Sequence, residues 1–342
     1  MNKPTHYYFP AEWEKHEATW LTWPYRDDSF PGKLESVYPS YIQFIKEISE
    51  GEKVRINIPD ENEMEKLIDL LLQSDVNPDQ VEMFLHPTND VWCRDHGPAF
   101  VINPGAETKK AVVSWEFNAW GDKYPSDLDN LIPEKVASHF RLPVYTPGIV
   151  MEGGSVEFNG KGTVITTTAC LLHENRNATL TQPEIEEYLR DYYGVQQVLW
   201  LRDGIAGDDT DGHVDDITRF VNEDTVVTVI EDNEYDENYQ LLQDNLESLK
   251  TFRLPDGRPL KIVELPMPVP QYWEGRRLPA SYANFYICNA AVIVPLFQCI
   301  QDEVAMETLT TLFPDRKVVG IDSTQIIWGL GSFHCLSQQE PT

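Results

Sequence analysis

The chain is expected to be an α/β protein built from five similar units arranged around an axis. Three observations lead there. A helix, a short strand, a polar loop and a β-hairpin follow one another in that order about five times. Spread over 342 residues, each unit is about 68 residues long, within the period range of repeat folds and propellers. No such unit buries its apolar face alone, whereas five packed together can. The competing reading is a two-layer α/β domain with a coincidental rhythm. Residues 1–342 are taken as one catalytic domain, with a core large enough to need no disulfide or metal staple.

The helices are read from apolar stripes at i, i+3, i+4, i+7. Val37, Tyr41, Phe44, Ile45 and Ile48 form one stripe, and Ile185, Tyr188, Leu189 and Tyr192 another. Thr181 and Glu184 make a capping box ahead of the second, Pro183 sits in its first turn, and Gly194 ends it. Similar stretches span Glu61–Gln73, Asp127–Phe140, Asn238–Lys250 and Asp302–Phe313.

Strand-like runs follow at Val81–Leu85, Leu142–Tyr145, Gln197–Leu201, Leu260–Leu265 and Lys317–Ile321. Each leads through a loop into a hairpin-like segment, at 97–103, 154–166, 217–229, 282–294 and 331–337.

Composition narrows the partners. The formal charge of −29 argues against nucleic acid and against an anionic membrane surface, both of which need clustered Lys and Arg. Such a field draws in a cationic small molecule or peptide, or serves only to keep the protein in solution. The longest apolar stretch, Ala290 to Phe297, is far too short to span a bilayer, and the first residues show no apolar signal-peptide core. The cysteines, Cys93, Cys170, Cys288, Cys299 and Cys335, are odd in number and form no C-x-x-C pair. A reducing cytoplasm is the expected compartment, and a homo-oligomer is left open.

The chemistry lies in the loops that enter the hairpins. These carry Asp95, Glu152, His213 with Asp215, and Cys335. Asp95 to Glu152 is 57 positions and Glu152 to His213 is 61, nearly one unit each. If the units surround an axis, the five side chains meet at one mouth. Cys335 is then a nucleophile whose thiol, ordinarily near pKa ~8.5, is activated by a His213 imidazolium. Glu152 orients that ring. Asp95 and Asp215 would repel an oxyanion, but they suit a guanidinium, which is planar, permanently charged and matched to carboxylates. Each residue has a plainer reading: Cys335 as a buried apolar side chain, Asp95 as an ion pair with Arg94, and Asp208, Asp209, Asp211 and Asp216 as solvated or capping residues. Trp92, Trp120 and Asn284 flank the loops and are candidate contacts for the rest of a substrate. No cofactor is expected, because G-x-G-x-x-G and the Walker signature are both missing. Metal is the main chemical rival, through His213, Asp215, His334 and Cys335, but no tight ligand motif supports it and no metal is expected.

The motifs WCRDHGP (92–98), WEFNAWG (115–121), MEGGS (151–155), DDTDGHVDD (208–216) and LPASYANFY (278–286) occur in order. With the early FPAEW and the late FHCLSQQ, they give the chain its resemblance to the agmatine deiminase and bacterial-type peptidylarginine deiminase family. The resemblance covers nearly the whole chain. It implies a five-bladed α/β propeller (the pentein fold) of ββαβ units. It also implies that Asp95 and Asp215 hold the guanidinium, that His213 works with Glu152 in proton transfer, and that Cys335 is the nucleophile. The implied reaction is hydrolysis of agmatine to N-carbamoylputrescine and ammonia through an amidino-cysteine. The chain departs from the agmatine branch at Asp211 and Asp216, where that branch usually has Asn, and at Gly329-Leu330-Gly331-Ser332-Phe333. Peptidyl-arginine or free arginine, giving citrulline, is therefore the alternative substrate, with Arg276 or Arg277 as the cation for a carboxylate. An inactive propeller that binds a cationic ligand is the non-enzymatic alternative.

Overall fold

The structure, a computed structural model, describes residues 3–342. Five mixed sheets organise it: four are an antiparallel pair extended by one parallel strand, and one is extended by two. In the first, Ala99–Ile102 pairs antiparallel with Lys110–Val113, which runs parallel to Val144–Tyr145. The helix Ile132–Phe140 makes the crossover, because a parallel neighbour is out of reach of a tight turn. Two further sheets repeat the scheme. Val156–Phe158, Thr163–Thr167 and Gln197–Leu201 are connected over the helix Gln182–Tyr193. Thr218–Asn222, Thr225–Ile230 and Lys261–Pro266 are connected over Tyr239–Thr251. The fourth sheet joins Tyr286–Ile287, Ala291–Leu296 and Lys317–Asp322 over Gln301–Leu312.

The fifth sheet is assembled from both ends of the described chain. Ser337–Pro341 lies antiparallel to His16–Thr22, which is followed in parallel by Lys53–Ile58 and Val81–Leu85. The helices Leu34–Ser49 and Glu61–Leu72 make the two crossovers. The expected hairpin at 331–337 is therefore not a hairpin: its partner strand lies more than 300 residues away, at Leu21 opposite Ser337. Ser337–Pro341 is entirely buried although it reads SQQEP. Its polar groups are matched, with Arg94 donating to Gln339 at 2.6 Å and Trp20 and Lys110 both donating to Glu340. The strands His16–Thr22 and Lys53–Ile58 are absent from the sequence reading; the first mixes His, Glu and Thr with its apolar residues.

Helix ends follow local chemistry. Asp60 accepts from the backbone N–H of Asn62 and Glu63, so that helix begins at Glu61. The Thr181–Glu184 capping box is present, and Gly194 closes the helix at φ +68°. The stretch expected over Asp127–Phe140 is split into the 3-10 turn Asp129–Leu131 and the helix from Ile132, with Pro133 in its first turn. Apolar faces pack into several cores, the largest gathering Leu21, Phe44, Ile56, Ile293 and Phe333 from the first and last parts of the chain.

Candidate active site

The loops entering the five sheets carry the site. Asp95 sits on the short helix Cys93–His96, directly before the strand Ala99–Ile102. Its Oδ1 accepts from Gly154 N at 2.9 Å and its Oδ2 from Trp120 Nε1 at 3.0 Å. Ala119 and Trp120 take left-handed backbone angles, φ 48° and 58°, a strained conformation for non-glycine residues. Arg94 does not pair with Asp95: its guanidinium goes to Glu12 at 3.1 Å. The plainer reading of Asp95 as a local ion pair is thus set aside, since Arg94 pairs with a residue 82 positions away.

Glu152 precedes the turn Gly153–Ser155 and is fully buried. Its Oε1 takes Arg176 Nε at 2.5 Å, while Oε2 has no hydrogen-bond partner. His213 is anchored through its backbone N–H, which donates to Asp208 Oδ2 and Thr210 Oγ1. Its Nδ1 lies 3.8 Å from Asp95 Oδ1 and 3.9 Å from Asp215 Oδ1. Asp215 Oδ2 is 2.7 Å from His334 Nδ1 and 3.5 Å from Cys335 Sγ. Asp95, Glu152, His213, Asp215 and Cys335 therefore come together, although they are spread over 240 positions of sequence.

Asn284 donates through Nδ2 to Cys335 Sγ at 3.0 Å and to Asp216 at 2.8 Å. Its Oδ1 accepts from the backbone N–H of Ser332, His334 and Cys335. It is 1 % exposed and fastens the Cys335 loop from behind. Trp92 and Trp120, by contrast, line a cleft of about 260 Å³ that reaches Asp95 and Cys335. Arg276 also lines this cleft, whereas Arg277 is taken by Asp236 at 2.7 Å and Glu237 at 3.2 Å. Asp216 is buried rather than solvated, while half-buried Asp208 caps the His213 loop, accepting from the backbone N–H of Thr210, Gly212 and His213; burial raises both carboxyls, and Asp215 adds to it.

The residues that sequence reasoning missed hold the site from outside. Glu12 accepts from His334 Nε2 at 2.8 Å, Arg94 at 3.1 Å and Arg219 at 2.9 Å. Burial alone would raise its carboxyl, but the charges of Arg219, His334 and Arg94 outweigh this and hold it well below the usual range. His334, weighed as a metal ligand, has a carboxylate on each nitrogen. Arg176 carried no motif that would single it out, and Glu12 lay in a stretch noted only for resemblance.

The electrostatics differ from the expected thiolate–imidazolium pair. Burial pushes the Cys335 thiol well above its ordinary range, and Asp215, Asp216 and Asp95 push the same way. Burial also lowers His213 to about 3 despite Asp215 beside it. Asp95 is raised well above its ordinary value by burial, Asp215 and Glu152. The site thus holds a thiol, a neutral imidazole and crowded carboxyls. A cation placed between Asp95 and Asp215 opposes the upward shifts of Asp95 and Cys335, since it stabilises the carboxylates and the thiolate together, and it keeps His213 neutral.

Comparison with known proteins gives the family. The family model for Porphyromonas-type peptidyl-arginine deiminase matches residues 8–341. The "Putative agmatine deiminase" of Legionella pneumophila strain Philadelphia 1 is 36% identical over 340 residues, 98% of this chain and 95% of that protein. Among solved structures, the substrate-bound agmatine deiminase of C. jejuni, a cysteine-to-serine variant, superposes with a TM-score of 0.89 at 34% identity, covering 98% of this chain and 96% of that one. The agmatine deiminase of Enterococcus faecalis gives 0.92 at 33% identity, covering 100% and 98%. A family model that matches residues 8–341 and a relative 36% identical over 98% of the chain leave one assignment: the chain belongs to the Porphyromonas-type peptidyl-arginine deiminase family.

Proposed function

We propose that the protein hydrolyses the guanidinium of agmatine to N-carbamoylputrescine and ammonia. The observation that carries this is the pair Asp95 and Asp215, 3.8 and 3.9 Å from His213 Nδ1, with Cys335 Sγ 3.5 Å from Asp215. Two carboxylates receive one guanidinium through charge-assisted, geometrically matched hydrogen bonds. Cys335 loses its proton to His213 as the cation lowers its pKa, and the thiolate attacks the guanidinium carbon. His213 returns the proton to the departing nitrogen, and ammonia leaves an amidino-cysteine. Water then adds with His213 as base, and the C–S bond breaks to give the ureido product and the free thiol. Glu152 keeps the imidazole supplied with a carboxylate neighbour, and Asn284 steadies the developing thiolate. Proton transfer of this kind contributes about 10²–10⁴-fold.

In this reading residues 1–342 form one domain, with the five units set as blades around an axis. The C. jejuni and Enterococcus faecalis proteins, named agmatine deiminases, support agmatine as substrate. In the outer cleft Asp28 and Asp209 face Arg26 and Arg276, and Asp90 is the carboxyl group that favours a substrate with a second positive charge. Free arginine is the second reading, because Arg276 also lines the cleft and offers a cation to an α-carboxylate. No helix among the described residues is long and apolar enough to cross a membrane. The five free cysteines support a reducing cytoplasm.

The test is to supply agmatine, arginine and an arginine-containing peptide and to measure ureido product, with Cys335→Ala as control. Turnover of agmatine, abolished in the control, is expected. Turnover of arginine or peptide alone moves the substrate but keeps the chemistry. Ureido product from the Cys335→Ala protein overturns the covalent mechanism, and no turnover of any substrate leaves the inactive propeller.

A further inference from the structure

We propose that Glu152, Cys170 and His213 form a binding site for a divalent transition ion of the zinc type, and that the bound ion reversibly blocks the protein. The block rests on the roles proposed above for Glu152 and His213; the binding does not. One donor atom from each of the three residues lies within 4.8 Å of the other two, and all three side chains are buried. Zinc takes sulfur at about 2.3 Å and nitrogen or oxygen at about 2.0–2.2 Å, which sets tetrahedral donors about 3.4–3.6 Å apart, so the three donors draw together by up to about 1.3 Å to seat the ion.

The partner pattern points to a ligand. Glu152 Oε2 and both ring nitrogens of His213 have no hydrogen-bond partner, though both side chains are fully buried. Buried polar atoms are normally satisfied, and those that are not need an explanation. The outer supports of a metal site are also present. Glu152 Oε1 is already fixed by Arg176, which leaves Oε2 to bind. His213 Nδ1 faces Asp95 and Asp215, as the second nitrogen of a ligating histidine commonly faces a carboxylate, which leaves Nε2. Arg176, the nearby positive charge, is itself offset by Asp211 at 2.9 Å.

Cys170 has no part in the proposed mechanism. It sits on the short helix Thr168–Leu171, whose start is fixed by Cys170 N donating to Thr167 Oγ1. One carboxylate and one thiolate balance a divalent charge. The thiol proton is expelled on binding, because the ligand is the thiolate. One sulfur, one nitrogen and one oxygen suit zinc or cobalt; calcium and magnesium require oxygen. A second cluster, Asp215, Asp216 and Cys335, is the competing location. There Asp215 Oδ2 is held by His334, and Asn284 holds both Asp216 Oδ1 and the Cys335 sulfur.

The test is titration of the purified protein with Co²⁺, read by the near-ultraviolet thiolate-to-cobalt absorption and by proton release, with Zn²⁺ as displacer. One equivalent bound and about one proton released are expected. The band is lost in Cys170→Ser and Cys170→Ala and kept in Cys335→Ser. Turnover falls with Zn²⁺ and returns with a chelator, while Cys170→Ser keeps its turnover and needs at least about tenfold more Zn²⁺ for the same loss. No band, or a band that survives Cys170→Ser and disappears in Cys335→Ser, overturns the proposal. A Cys170-dependent band in a protein that turns over no guanidine keeps the site and overturns the deiminase reading instead.

Discussion

Arg176 donates from Nε to Glu152 Oε1 at 2.5 Å with both side chains sealed from solvent. Its remaining nitrogens reach Asp211 Oδ2 at 2.9 Å, the Thr210 carbonyl at 2.9 Å and Asn175 Oδ1 at 2.6 Å. One guanidinium therefore joins the Glu152 loop to the loop that presents His213. Asp211 completes the chain of charges, and Asn175, Lys123 and Arg176 hold its carboxyl down to about 2 against the effect of burial.

Arg176→Gln is expected to lower both stability and turnover. It leaves Glu152 as an uncompensated buried charge, which costs about 3–5 kcal/mol. Arg176→Lys keeps the charge but not the fork, and recovers part of the loss. Thermal melts and kcat for the two variants check this; a Gln variant equal to wild type in both removes the positioning role.

Asp95→Asn is expected to lower kcat/KM by about 10- to 100-fold, the worth of a hydrogen bond to a charged group. The amide also sets a donor against either Gly154 N or Trp120 Nε1, both of which donate to this side chain. Steady-state kinetics on the substrate found active decides it, with the effect expected in kcat/KM and the fold intact by circular dichroism.

Gly154→Ala tests how tightly the site is built. A Cβ there meets His213 Nδ1 at 2.5 Å, Asp95 Oδ1 at 2.9 Å and Asp215 Oδ2 at 3.1 Å. These three groups must part, and misplacement on this scale costs about 10²-fold in rate. Overpacking costs about 1–3 kcal/mol in stability. A variant with full activity shows that the three side chains tolerate spreading.

Asp129 supplies the pH prediction. It is fully buried, accepts from Asn89 N at 2.6 Å through Oδ1, and leaves Oδ2 without a partner. Burial pushes its pKa from 3.8 up to about 7, against the pull of those backbone N–H groups. A raised carboxyl contributes stability that is full below the unfolded value and lost as pH rises through the folded one. The melting temperature is thus expected to fall between about pH 4 and 7. Asp129→Asn flattens that fall and is more stable than wild type at the upper end of that window, as parallel melts at its two ends will show.

Local order was largely legible in the sequence: most boundaries fall within a residue or two, the exceptions being the helix expected from Asp127, which begins at Ile132, and the hairpin expected at 331–337. The Gln182–Tyr193 helix, with its capping box and terminal Gly194, could be read because cap, stripe and stop are neighbours in the chain. Val81–Leu85 and Gln197–Leu201 appear with the bounds their apolar runs suggest. His16–Thr22 could not be read so, because its partner Ser337–Pro341 is polar and lies at the other end of the chain.

The same division runs through the site. Sequence alone placed Asp95, Glu152, His213, Asp215 and Cys335 in corresponding loops, because the recurrence of strand, loop and hairpin is a property of contiguous residues. Only the tertiary structure decided what holds them. Arg176 reaches Glu152, Glu12 joins His334 to Arg94 and Arg219, and Asn284 fastens the Cys335 loop. It also decided the protonation states: Cys335 is driven up and His213 down to about 3, chiefly by burial. Burial comes from residues distant in sequence closing over a group, so no local pattern encodes it.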